Sequence, residues 1–257
     1  MTFFSFALLV TAGFVAGFVN TLAGSGSAVT LPALIFLGLP ASFANGTNRV
    51  AIVLQGVSAV TSFRRDRVLD VRGALWLGMP AVLGSFIGAQ VSLGLDEVLM
   101  RRVIGAVMLV MLVLVWLRPE RWLHGTLQQM VGRPSWKHLL VFFVIGIYGG
   151  FIQVGVGIFM LVALVLGLGY DLVRANAVKV TVALGFTAVA LAVFAANSRV
   201  VWREGIVLAL GSATGAWVGA RFAVERGVVW VRRLLLVIVV FSAAQLLGVL
   251  DWIGRLL

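Results

Sequence analysis

The residues of this sequence that could hold a small polar solute stand in two short groups, each beside closely spaced glycines. The first comprises Asn20, Ser25, Asn45, Asn48 and Arg49 around Gly24 and Gly26. The second comprises Gln153, Asn176 and Lys179 around Gly155 and Gly157. Carboxamides, a hydroxyl and cations, with no carboxylate among them, suit an anion. Gly24-Ser25-Gly26-Ser27 opens one short apolar segment and Gly155-Val156-Gly157 opens another. A helix that starts at such a break presents backbone N–H groups without intrahelical partners, and its dipole adds to their attraction for negative charge. The competing reading is a glycine hinge that only lets helices pack closely. Arg49 and Lys179 pose the sharpest choice. A cation at the bilayer centre costs about 2.5–3.5 kcal/mol on insertion scales. Each therefore either points inward, where an anion is its natural partner, or snorkels to the interface.

Other chemistry finds few parts in the sequence. The Asp and Glu residues fall in connections or at helix ends, and His124 and His138 lie in or beside the central loop. That argues against a cation pump and against a proton relay of acidic or histidine side chains inside a membrane. There is no His-Glu-x-x-His, no nucleophile–base set and no cysteine, so thiolate metal sites, disulfides and a cysteine nucleophile are excluded. The expectation is a chain with no catalytic residue, no metal and no cofactor, that is, not an enzyme.

The elements that must position these residues are membrane helices. Of 257 residues, 61% are hydrophobic and 11% charged, with a mean hydropathy of +1.11. A soluble domain carries about 25% charged residues, so a water-exposed surface could not be covered here. Apolar stretches run over 3–23, 28–38, 46–63, 73–95, 103–117, 139–153, 156–168, 177–198, 205–223 and 234–250. Most are long enough for roughly 30 Å of hydrocarbon, but 28–38 and 156–168 are too short and are expected to be half-helices or re-entrant hairpins. The net charge of +11 sits in short connections, as the positive-inside rule expects, which disfavours nucleic acid as a partner. The N-terminus lacks the basic segment of a signal peptide, so Phe3 onward reads as a first span. Most tryptophans stand near predicted helix ends, while Trp217, beside Gly215 and Gly219, is expected to pack inside the bundle.

The chain also repeats itself. Ala44-Asn45 recurs as Ala175-Asn176, 131 residues on (175 − 44). Gly84-x-x-x-Gly88-Ala89 recurs at the same spacing as Gly215-x-x-x-Gly219-Ala220, and Arg101-Arg102 as Arg232-Arg233. Gly13-x-x-x-Gly17-Phe18 matches Gly146-x-x-x-Gly150-Phe151 at 133. The expected architecture is an all-α, polytopic transmembrane bundle of two duplicated halves, each with a broken or re-entrant short helix after its glycine break. Residues 1–117 form the first repeat, 118–138 a basic cytoplasmic linker and 139–257 the second repeat. The shift of basic residues between matching connections favours inverted over parallel repeats, the usual construction of secondary transporters.

Three stretches of the first half carry a resemblance: Gly17-Phe18-Val19-Asn20-Thr21-Leu22-Ala23-Gly24-Ser25-Gly26, then Leu31-Pro32-Ala33-Leu34 with Gly38-Leu39-Pro40, then Ala44-Asn45-Gly46-Thr47-Asn48-Arg49. They resemble the first-repeat pattern of the sulfite exporter TauE/SafE family. Gly155-Val156-Gly157, Ala175-Asn176-Ala177-Val178-Lys179 and Gly215–Ala220 are the second-half counterparts. The resemblance implies a multi-pass permease of the bacterial inner membrane for sulfite, organosulfonates or related small anions. Its expected site is Asn20, Gly24, Ser25, Gly26, Asn45, Asn48, Arg49, Gln153, Gly155, Gly157, Asn176 and Lys179. Export by alternating access leads, with uptake and a non-transporting membrane scaffold as alternatives. The expected partners are a small anion and the lipid bilayer, with a homodimer left open.

Overall fold

The computed structural model describes residues 3–23, 25–117 and 134–226. Among them every regular element is a helix: α1 (Phe3–Ala23), α2 (Ser27–Phe36), α3 (Ala41–Arg65), α4 (Val71–Leu93) and α5 (Glu97–Leu117) in the first half. The second half has α6 (Trp136–Phe151), α7 (Val156–Val162) running into a π-helical turn (Ala163–Gly167), α8 (Leu172–Ala196) and α9 (Trp202–Arg226). The apolar stretch 234–250 and most of the central linker lie outside the described residues. α1, α4 and α8 are long and apolar enough to cross a membrane. Their outer faces carry large exposed apolar side chains, such as Leu75, Met79, Leu83 and Phe86 on α4, which lipid rather than water must cover. The chain is an all-α, multi-pass membrane protein.

α3 matches α8 in length but falls short of it in hydropathy, because its first half carries Asn45, Thr47, Asn48 and Arg49, all buried. These polar groups bond within the protein, so the helix begins at Ala41, more than a turn before the apolar stretch does. The same correction applies to α8, which starts at Leu172 where the Asp171 carboxylate accepts from the N–H groups of Val173 and Arg174. That is an N-cap, the side-chain answer to unpaired first-turn donors.

Two close helix pairs hold the bundle. α1 lies along α9, with Gly13 against Leu208 and Ser212 and Gly17 against Ser212 and Ala216. α4 lies along α6, with Gly146 against Ala81 and Gly150 against Ser85. Residue numbers rise together in both pairs, so the partners run in the same direction. A Cβ at any of these glycines would strike the neighbour's backbone, which is why small residues mark helix contacts in lipid. α3 and α8 run oppositely, Gly46 meeting Phe194 and Arg199 while Gly56 meets Leu184. The α3–α4 and α7–α8 connections therefore share one end of the bundle, where the Tyr170 hydroxyl donates to Asp70 at 2.7 Å. The α2–α3, α4–α5 and α8–α9 connections share the other, where Glu97 accepts from the Ala41 N–H at 2.6 Å. We refer to these as the Asp70 end and the Glu97 end.

The 131-residue spacing reappears in backbone geometry. Gly38 and Gly169 both take positive φ, 89° and 73°, and so do Arg67 and Ser198, 55° and 56°. The close contacts exchange as well: Ala81, which Gly146 meets, stands 131 residues before Ser212 (212 − 81), which Gly13 meets. Trp217 departs from expectation, being 59% exposed. Gly211 and Gly215 turn one face of α9 toward α1, and Trp217 stands off that contact face, exposed but at the wall of the cavity described below.

Candidate functional site

A cavity of about 400 Å³ lies between α1, α3, α8 and α9, with both glycine breaks contributing to its wall. α3 supplies one stripe from Asn48 through Gln55 to Ser62 and Asp66, residues three, four or seven apart that share a helix face. Asn48 is buried and Ser62 and Asp66 are exposed, so the cavity opens at the Asp70 end. α8 supplies Asn176, Lys179 and Ala183 at the same periodicity. Asn20 and Gly26 come from the first break, Gln153 and Gly157 from the second. Side chains some 130 residues apart thus line a single space.

Lys179 sets the electrostatics of this space. It is 5% exposed and lines the cavity, and among the described residues it has no hydrogen-bond or ion-pair partner. Asn176, one turn earlier on the same face, is equally without one. Gln55 is engaged only at its oxygen, which accepts from Asn20 Nδ2 at 3.4 Å. An ammonium and two carboxamide N–H₂ groups are therefore free to donate into the cavity. A buried cation that lacks a partner is costly, and a bound anion relieves that cost.

Arg49 is fully buried, and its surroundings are of another kind. Its Nη1 donates to Gly149 O at 3.0 Å and Gln153 Oε1 at 3.3 Å, its Nη2 to Gly150 O at 2.6 Å and Asn45 Oδ1 at 3.4 Å. The guanidinium also stacks over the Phe194 ring at 4.8 Å. Asn45 Nδ2 donates to Phe151 O at 2.7 Å and Ser92 Oγ at 3.0 Å. The carbonyls of Gly149, Gly150 and Phe151 are the last of α6, acceptors that a helix end leaves without partners and that carry the negative end of its dipole. Arg49 and Asn45 satisfy them, pinning α3 to the break after α6. Neither lines the cavity.

The remaining expected residues divide similarly. Asn48 lines the cavity but is held, accepting from Thr30 Oγ1 at 2.5 Å and donating to Ser27 Oγ at 3.2 Å. Gln153 lines it with a left-handed backbone, φ 58°, and donates to Thr187 Oγ1 at 2.6 Å. Such a conformation strains a non-glycine residue and persists where its surroundings over-determine it. Ser25 is buried and Gly155, at φ 71°, fits tightly against Met111; neither lines the cavity. Gly24 lies outside the described residues. Thr30, Gln55 and Ser212 also line the cavity, beyond the residues expected from the sequence. A heptad of polar residues, Asn48, Gln55 and Ser62, is the signal in the sequence for the first helix face. At the Asp70 end, burial and the bond to Asp70 push the Tyr170 hydroxyl above the usual phenol range, so it stays protonated and keeps donating.

Comparison with known proteins places the chain among membrane transporters. A family profile described as "Sulfite exporter TauE/SafE" matches residues 9–246. A Haemophilus influenzae protein described as "Probable membrane transporter protein" is 27% identical, over 96% of each chain. A Sinorhizobium protein described as "Probable membrane transporter protein ORF9" is 26% identical, over 96% of this chain and 94% of its own. "Probable membrane transporter protein YfcA" of Escherichia coli K12 is 25% identical, over 93% and 90%. No solved structure matches.

Proposed function

The chain belongs to the sulfite exporter TauE/SafE family of membrane transporters, and on that premise we propose that it exports small sulfur-containing anions, sulfite or organosulfonates, across the bacterial inner membrane. Residues 1–117 and 139–257 act as inverted repeats joined by a cytoplasmic linker at 118–138. The helix directions support this, since α1 runs with α9, α4 runs with α6, and α3 opposes α8. Alternating access then rocks the halves about the cavity, which opens here at the end bearing Arg64, Arg65, Arg67 and Arg72. By the positive-inside rule that end is cytoplasmic. The chain carries its solute without chemical change.

The observation that carries this reading is Lys179, buried and without a partner among the described residues, in a cavity lined from both halves. A membrane scaffold would have no use for an uncompensated cation there, whereas an anion site needs one. Efflux from proteoliposomes loaded with labelled methanesulfonate tests it, with a valinomycin-set potential and no pH gradient. The expected result is saturable efflux that follows the potential. One elementary charge crossing 100 mV is worth about 2.3 kcal/mol, roughly a fifty-fold gradient without a coupling ion. Efflux no faster than from empty liposomes would overturn the proposal.

A further inference from the structure

We infer that the site is built for singly charged anions and discriminates against doubly charged ones. The inference rests on the proposed anion site and concerns its valence. Among the described residues of the cavity wall Lys179 is the only cation, while Asp66 stands at the mouth as a negative charge. The other buried cation nearby, Arg49, does not line the space, and its charge already faces the carbonyl end of α6 and two amide oxygens. The donors that remain, the N–H₂ groups of Asn176 and Gln55, are neutral: they can hold oxyanion oxygens but add no positive charge.

A monoanion bound here turns an uncompensated cation into a neutral pair. A dianion would leave one negative charge without a cation to meet it, in a wall where apolar Ala51, Ile52, Val180, Ala183 and Leu184 alternate with neutral polar groups that can donate to charge but not neutralise it. For a solute such as sulfite, which exchanges between singly and doubly charged forms near neutral pH, the site takes the protonated, singly charged form. The solute then carries its own proton, and no titrating side chain in the wall is required.

The test is competition against labelled methanesulfonate on the full-length protein in detergent, using three permanently charged probes. Ethanesulfonate and butanesulfonate carry one charge; 1,2-ethanedisulfonate carries two and is close to butanesulfonate in length. The expected result is that the disulfonate competes about 30-fold more weakly than both monosulfonates, about 2 kcal/mol at 1.4 kcal/mol per tenfold. In Gln55→Lys, which adds a second cation to the wall, that gap narrows at least tenfold. If the monosulfonates bind in a Lys179-dependent manner but the disulfonate competes within tenfold of them in the parent, the valence inference falls and the anion site stands. If no sulfonate of either charge binds, both fall. The parent comparison decides alone should Gln55→Lys not fold.

Discussion

The opening turns of α3 and of α8 occupy matching places in the two halves, and the same sequence positions behave differently in them. Asn45 corresponds to Asn176 and Asn48 to Lys179, each at a spacing of 131 (176 − 45 and 179 − 48). In α3 the polar groups are consumed: Asn45 holds Ser92 and the α6 terminus, and Asn48 holds Ser27 and Thr30 on α2. In α8 they are left free to face the cavity. The difference comes from the residues that the short helices offer. α2 presents Ser27 and Thr30, whereas α7 presents Ile158 and Leu161 at the corresponding positions (158 − 27 and 161 − 30), which cannot hydrogen-bond a side chain. In the proposed site the motif that recurs at this spacing serves as a latch at the Glu97 end and as a binding group on the side of the cavity that opens at the Asp70 end. The Glu97 end is tied further by the Val201 N–H to Thr47 Oγ1 at 2.9 Å and by Arg199 stacked over Phe43 at 5.1 Å.

Substitutions separate the latch from the binding group. The largest effect is expected from the scaffold that both regions share: Gly150→Leu puts a side chain into the Ser85 backbone and should prevent α4 and α6 from pairing, read as loss of monodisperse protein after extraction. Next is the latch. Arg49→Ala leaves the buried carbonyls of Gly149 and Gly150 without their partner, at about 1–3 kcal/mol for each unsatisfied group. The variant should still insert but lose thermal stability in detergent by several degrees or more. The binding group should behave oppositely: Lys179→Gln removes an unpartnered buried charge, so its Tm should hold or rise while anion efflux falls at least about tenfold. Equal losses of stability in both variants would erase the distinction between latch and site. The smallest effect concerns the fastening at the open end, where Tyr170→Phe deletes one hydrogen bond to Asp70 and should cost about 0.5–1.5 kcal/mol with little change in efflux.

Much of this was legible in the sequence, for identifiable reasons. The glycine pairs announce close helix contacts because no other residue lets backbones approach so nearly in lipid, and their constant spacing matches the backbone positions that share positive φ. The breaks before Ser27 and Val156 announce themselves by glycine and by the shortness of α2 and α7. The role of Arg49 was not legible. Its acceptors are backbone carbonyls 100 and 101 residues away, and a carbonyl leaves no trace in residue identity. Sequence could place a cation in the membrane but could not say whether a helix end or a solute would meet it. The starts of α3 and α8 precede their apolar stretches for a related reason. Hydropathy scores Asn45 and Asn176 as belonging to connections, although both stand inside helices, one bonded to protein and the other facing the cavity.

In the proposed site Lys179 meets the anion and Arg49 does not. Equilibrium binding of labelled methanesulfonate to purified, folded protein tests this most directly, comparing the parent with Lys179→Gln and Arg49→Lys at equal concentrations. The expected result is saturable binding in the parent, its loss in Lys179→Gln, and its retention in whatever fraction of Arg49→Lys remains folded. Parent-like binding by Lys179→Gln, or binding abolished in folded Arg49→Lys, would contradict it.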